Sequence, residues 1–406
     1  VAPQARLIAG TARVDITPPV GMYHRMWGAA IHDRSTGVHR PLTATALWMQ
    51  PRETAGEARD AILLLALDHC ILERTAMDAL REAAGHATGL PSAQVHVCLS
   101  HTHGAGFMSR SRAELPGGDM IGPYLDEMTR RVSRCAEQAL AAAQPAVLVC
   151  GVGRSALAAH RDGYDPASKQ FVCGFHPEGP ADDTLVVGRL TTDSGDVDKP
   201  GRMLATLVNY AIHPEVIGSG RGICSPDLVG PLCDRIAQAG GGTGIFMNGA
   251  QGGMITADNR RPDGEVNTWE ECIRIGTLLA DESLRLVNDA PAQPDPRLRV
   301  AVREVKFPVE SPALIAVLKA SPLGYSTDPE GRVTTRVNWV ELGDARILTI
   351  PGEALPNIGY YLKRKLGGEH ALLFGLTNDA FGYILTAVDW GSFKRYEYIS
   401  RTSLGE

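Results

Sequence analysis

Two histidines stand one residue apart in "VHVCLSHTHGAGF", residues 95 to 107, where an apolar run breaks into glycine. Imidazole binds metals and carries protons near neutral pH, so His101 and His103 could serve either chemistry, or pack as ordinary polar residues. In an extended chain Val95, Val97, Leu99, His101 and His103 face one way, and His96, Cys98, Ser100 and Thr102 the other. The expectation is a strand whose apolar face ends in two imidazoles at the rim of a sheet. A third histidine, His213, closes the period-two run "MLATLVNYAIHPEV", and Glu353 follows a strand-like run in "ARILTIPGEALPNIG", where it is expected at the start of a helix. Each has an ordinary alternative, since a histidine before proline is commonly structural and a glutamate suits the first turn of a helix. Together, His101, His213 and Glu353 would suffice to hold a zinc ion with a position left for water, whose pKa the ion lowers to about 7.

Such ligands need rigid elements to deliver them. Apolar runs predict strands over 61–67, 94–101, 146–152, 184–191, 203–212, 243–247, 298–308 and 336–350. Helical periodicity predicts helices over 74–85, 122–143, 228–238, 268–290, 312–320 and 354–365; in the second, Tyr124, Met128, Val132, Cys135 and Ala139 form one stripe. The alternation reads as an α/β protein with a mixed β-sheet core flanked by helices. Several strands end in polar or glycine-rich signals: Asp68 and His69 after "AILLLAL", and the loop beginning Asn248-Gly249 after "GTGIFM". One pocket beyond the strands' carboxyl ends would explain that placement. The proline-rich stretch 289–299 could join two subdomains, but candidate residues lie on both sides of it, so a single domain over 1–406 is expected.

Composition excludes several classes. The 406 residues are 44% hydrophobic and 21% charged, ordinary for a globular chain. A net charge of −6 without a basic cluster gives nucleic acid no electrostatic foothold. The longest apolar run, "AILLLAL", falls far short of the roughly 20 residues that cross a bilayer. Eight cysteines without a C-x-x-C pair read as reduced core thiols, although their even number leaves disulfides open. The chain begins "VAPQARLIAG", so it is compatible with a cytoplasmic protein or with a secreted or periplasmic one whose signal peptide was removed. Oligomeric state is not legible.

Beyond these single signals, the ordered series "GTARVDITPP", "SHTHGAG", "NYAIHPEV", "SPDLVG", "NGAQGG", "IPGEAL" and "LTNDAFGYILT" resembles the motifs of the neutral/alkaline, non-lysosomal ceramidase family over about residues 8 to 406. The resemblance implies a zinc amidase with a small-molecule or lipid-like N-acyl substrate, its Zn2+ held by His101, His213, Glu353 and Tyr383. It makes His103 a candidate for orienting water or the substrate carbonyl. Through "AAHRDGYD" it makes Arg161 a candidate for polarising the substrate oxygen. Asn248, Gly249, Ile255 and Thr256 would line the substrate cleft. Where the family reads "GDVSP", this chain reads Gly253-Met254-Ile255-Thr256, losing an acid and a hydroxyl; and Gly104 follows the His-x-His motif where serine is usual. The chain ends "RTSLGE", near the end of the family's catalytic region, so the immunoglobulin-like C-terminal domain is not expected in it.

The implied chemistry is attack of metal-activated water on an acyl carbon. Tyr383 or Arg161 would stabilise the oxyanion, and His103 would carry the proton to the leaving amine. No G-x-S-x-G elbow is present to suggest a serine nucleophile. Two other readings stay open: an esterase or lactonase using the same metal, and a non-catalytic relative suggested by the altered loop. The segment 104–121, with Phe107, Met108, Leu115 and Met120, is expected to be either a plain surface loop or a mobile lip admitting an acyl chain.

Overall fold

The computed structural model describes residues 7–26, 30–52, 61–173, 175–193, 201–218, 221–257, 259–261, 264–288, 290–291, 298–312, 315–316, 325–391 and 403. Its centre is an eight-stranded mixed sheet in the order Thr243–Asn248, Met203–Tyr210, Thr184–Thr192, Gln144–Arg154, Leu7–Asp15, Thr43–Pro51, Ile62–Leu67, Val95–Leu99. The inner pairs are antiparallel. The outermost pair at each edge is parallel and is crossed by a helix, Arg74–Thr88 on one side and Val229–Gln238 on the other.

Period-two burial divides the strands between two apolar layers. Ala46, Trp48, Leu63 and Leu65 pack on the helices Arg74–Thr88 and Ile121–Ala141, while Leu47, Met49, Ile62 and Leu64 point to the opposite face. There they meet a four-stranded sheet, Leu298–Pro308, Arg332–Leu342, Ala345–Thr349 and His370–Phe374, through Val340, Ile347, Leu372 and Phe374. Toward the other edge, Val187, Val208 and Phe246 pack on the helices Val229–Gln238 and Trp269–Asn288. At roughly 1.5–3 kcal/mol for each large side chain buried, these layers hold the sheet rigid.

The mixed sheet and its helices match the sequence expectation, with the second sheet covering one face in place of further helices. The stripe on Ile121–Ala141 is buried as anticipated. The expected strand 336–350 is two, because Gly343 takes a φ of +61° and turns the chain in a hairpin that pairs Leu342 with Ala345. Most of the expected helix 312–320, and residues 289 and 292–297 of the proposed joint, lie outside the described residues. Leu298 and Val300, just past that joint, pack against the same core as Leu7 and Leu47. Cys70, Cys98, Cys135, Cys150, Cys224, Cys233 and Cys272 are free and buried. No helix among the described residues is long and apolar enough to cross a membrane.

What positions the site is curling of the large sheet. Its two edge strands meet: Asn248 Nδ2 donates to the carbonyl of Ser100 at 2.9 Å. The segment after His370–Phe374 threads between them, with Gly375 N donating to Asn248 O at 2.9 Å and Asn378 N to Val97 O at 2.8 Å. The ends of distant strands therefore converge.

Candidate metal centre

The strand Val95–Leu99 stops two residues before His101, whose φ of +67° lies in the left-handed region. That conformation costs a residue with a side chain roughly 1–2 kcal/mol and ends the alternation assumed from the sequence. Val95, Val97 and Leu99 stay in the helix-side core, while His101 turns away from them toward His213. The centroids of the His101, His103 and His213 rings lie 4.9–5.6 Å apart, each pair near perpendicular.

Glu353 completes the group, though not from a helix. Glu353–Ala354 is a short strand parallel to Tyr383–Ile384, and Glu353 N donates to Gly382 O at 2.8 Å. The helix begins only at Pro356, whose fixed φ suits a first helical turn. Glu353 Oε2 lies 3.3 Å from His101 Nε2 and 3.3 Å from His213 Nε2. It is buried there without an aligned hydrogen bond among the described residues.

The far nitrogens of both rings are held by backbone carbonyls, which can only accept. His101 Nδ1 donates to Cys70 O at 3.0 Å, and His213 Nδ1 to Met254 O at 2.8 Å. Arg161 Nη1, which can only donate, lies 3.3 Å from His213 Nε2. In His213 the lone pair is thus on Nε2, beside Glu353. Such backing fixes ring orientation and tautomer in metal sites.

Charge follows the geometry. Burial opposes ionisation of Glu353, but His101 and His213 outweigh it and hold the carboxyl well below its usual range. Burial likewise opposes charge on His101, and Cys70 and Glu353 raise its pKa well above the ordinary value. Burial, then Arg161, lowers His213; burial, then His101 and His213, lowers His103 strongly. His101, His213 and Glu353 present ligand atoms within 4.8 Å of one another, all buried, and a cation among them would take the place of the proton on His101. The donor set fits a metal ion.

The other expected site residues surround this group. His103 is buried beside these three residues, with Nδ1 3.2 Å from Glu215 Oε2. Arg161 is buried too; its Nη2 donates to Gly252 O at 3.3 Å and to the hydroxyl of Tyr383, whose ring centroid lies 5.2 Å from the guanidinium carbon. Tyr383 is the register partner of Glu353, so its hydroxyl is placed by the same ladder and held by Arg161.

Asn248, Gly249, Ile255 and Thr256, expected to line the substrate cleft, have structural partners of their own. Asn248 spends its amide on backbone: Nδ2 donates to Ser100 O and Ile212 O, and Oδ1 accepts from Ile212 N and Gly249 N. Gly249 is packed on Ala211, with Gly249 N donating to Tyr210 O at 3.0 Å. Both tie strand ends together. Ile255 and Thr256 are buried in a strand, Met254–Thr256, paired with Ala158–His160. The replaced side chains thus leave a backbone function: Met254 O receives both Nδ1–H and the main-chain N–H of His213. Gly252 and Gly104 are required by close approach, since a Cβ would come within 2.4 Å of Glu353 O and 2.5 Å of Ser225 O respectively. The segment 104–121 is packed more than it is a lip: Met108 is in the core, Phe107 and Met120 lie against it, and only Leu115 of the four expected apolar residues is exposed.

Sequence reasoning missed Glu215 and the backing carbonyls of Cys70 and Met254. Of these, Glu215 left a signal, an acid two residues beyond His213.

No protein-family profile and no curated protein matches the chain. Solved structures do. Neutral ceramidase from Pseudomonas aeruginosa superposes with a TM-score of 0.74 at 14% identity, over 99% of this chain and 71% of that one. A ceramidase complexed with C2 gives 0.76 at 15% identity, over 99% and 72%. The chain shares the neutral ceramidase fold.

Proposed function

We propose that the chain is a zinc-dependent amidohydrolase of N-acyl compounds, acting at the centre formed by His101, His213 and Glu353. One observation carries the reading: two imidazoles backed by carbonyls at Nδ1 direct Nε2 at one buried carboxylate oxygen that has no aligned hydrogen bond among the described residues. The ceramidase fold favours an amide and a lipid-like acyl chain as the substrate class.

Bound at this centre, zinc would supply Lewis acidity toward the acyl oxygen and acidify water. The remaining work falls to the chain. Arg161 Nη2 and the Tyr383 hydroxyl form a joined donor pair beside the ligands, suited to negative charge developing on the acyl oxygen. His103, kept neutral by burial and by its cationic neighbours, accepts a proton from water and delivers it to the departing nitrogen. The left-handed turn at His101 and the buried strand ends keep these groups fixed before substrate arrives.

The test is hydrolysis of a panel of N-acyl amides and matched esters by metal-loaded protein, with metal content measured on the same sample. Amide turnover that depends on bound zinc is expected. Ester or lactone turnover alone would move the assignment to the esterase reading, and loaded protein inert on the whole panel would overturn it.

A further inference from the structure

The loops bearing His103 and His213 are joined by side chains that the reaction does not otherwise use. His103 N donates to Pro214 O at 3.1 Å, and the next residue, Glu215, places Oε2 3.2 Å from His103 Nδ1. Glu215 is itself fixed at both main-chain ends: its N–H donates to His213 O at 3.0 Å and its carbonyl accepts from Gly218 N at 2.9 Å. Asp227, at a φ of +52°, accepts Val216 N at 3.2 Å and Ile217 N at 3.0 Å, holding the residues that follow Glu215. The same "SPDLVG" segment grips the other loop: Thr102 Oγ1 donates to Ser225 O at 2.7 Å, and Ser225 N donates to Gly104 O at 3.1 Å. One clamp therefore sets the distance between Glu215 and His103.

We propose that Glu215 is a positioning residue that holds His103 with its proton on Nδ1, so that Nε2 is the atom that exchanges protons with water and the leaving amine. A carboxylate only accepts, so its approach to 3.2 Å from Nδ1 favours the ring form that carries the proton there. The inference rests on the hydrolase reading above. In the step, a C–O bond forms between water and the acyl carbon and the C–N bond breaks. The proton lost by water passes to His103 Nε2 and then to the nitrogen, which leaves as an amine. An amide needs that proton because an amide anion is a very poor leaving group, whereas an ester of an acidic phenol expels phenolate without it.

The experiment compares Glu215→Ala and Glu215→Gln with wild type on an N-acyl amide and on the matching nitrophenyl ester, and follows the His103 ring nitrogens by NMR of 15N-histidine protein, assigned with His103→Gln. Glu215→Ala is expected to lower kcat on the amide by about 100-fold with little change in KM, and to affect the ester less, since the ester uses His103 for the water step alone. Glu215→Gln, whose amide oxygen can accept the same N–H, should recover most of the loss. Wild-type His103 should carry its proton on Nδ1 and become a tautomer mixture in Glu215→Ala. Equal losses on both substrates, or an unchanged tautomer in Glu215→Ala, would overturn the inference. Wild-type protein inactive on both substrates would instead strike the hydrolase reading, leaving the tautomer measurement to decide the role of Glu215.

Discussion

His101 follows the strand at one edge of the central sheet and His213 the strand next to the other edge, yet their Nε2 atoms each lie 3.3 Å from the same oxygen of Glu353. The meeting depends on the curl of the sheet, on the left-handed turn at His101, and on Asn248, which bonds the two edges.

Tyr383 and Arg161 act as one unit in this account. Tyr383→Phe should keep its zinc, because three other ligands remain, yet turn over about 100-fold more slowly, the scale of losing one oxyanion donor. Adding Arg161→Met to Tyr383→Phe should cost much less than the product of the single losses, since each removes the other's partner. Steady-state kinetics with metal analysis on the single and double variants measures both; independent, multiplying effects would count against the shared donor pair.

Gly104 is held against Ser225 by the clamp that places His103. Gly104→Ala would set a Cβ 2.5 Å from Ser225 O, so it should destabilise the fold by about 1–3 kcal/mol and lower turnover together. Thermal unfolding and kinetics on the same preparation check this; an unchanged melting temperature would show that the loops can part without strain.

His96 is buried, and among the described residues neither ring nitrogen has a hydrogen-bond partner. Burial, then Arg81, pushes its pKa down to about 3. A histidine depressed in the folded state binds its proton more readily when unfolded. Its contribution to stability is therefore complete above about pH 6.5, shrinks as pH falls, and is gone below about pH 3. In denaturant titrations at several pH values, His96→Leu should flatten the decline of stability across that window. A slope equal to wild type would mean that His96 does not titrate with unfolding.

Much of the layering is legible in the sequence because burial has a period. Leu63 and Leu65 face one apolar layer while Ile62 and Leu64 face the other, and the stripe from Tyr124 to Ala139 lies where helical spacing puts it. The three candidates could be picked out because His101, His213 and Glu353 each sit just past an apolar run. Their geometry could not, because it is made by long-range contacts and one unusual backbone angle, neither of which leaves a periodic trace. Glu353 shows the limit: its surroundings read as a helix start, while pairing with Tyr383 holds it extended. Asn248 shows another, since nothing in the loop's sequence announces that its amide is bonded to the backbone of Ser100 and Ile212.

The most direct measurement is zinc stoichiometry in purified wild type, His213→Ala and Glu353→Gln after dialysis, each checked for folding by circular dichroism. Stoichiometric zinc is expected in wild type and near-complete loss in both folded variants, because each removes one of few ligands. Full zinc retention in either variant, or a wild-type chain that takes up none from zinc-containing buffer, would contradict it.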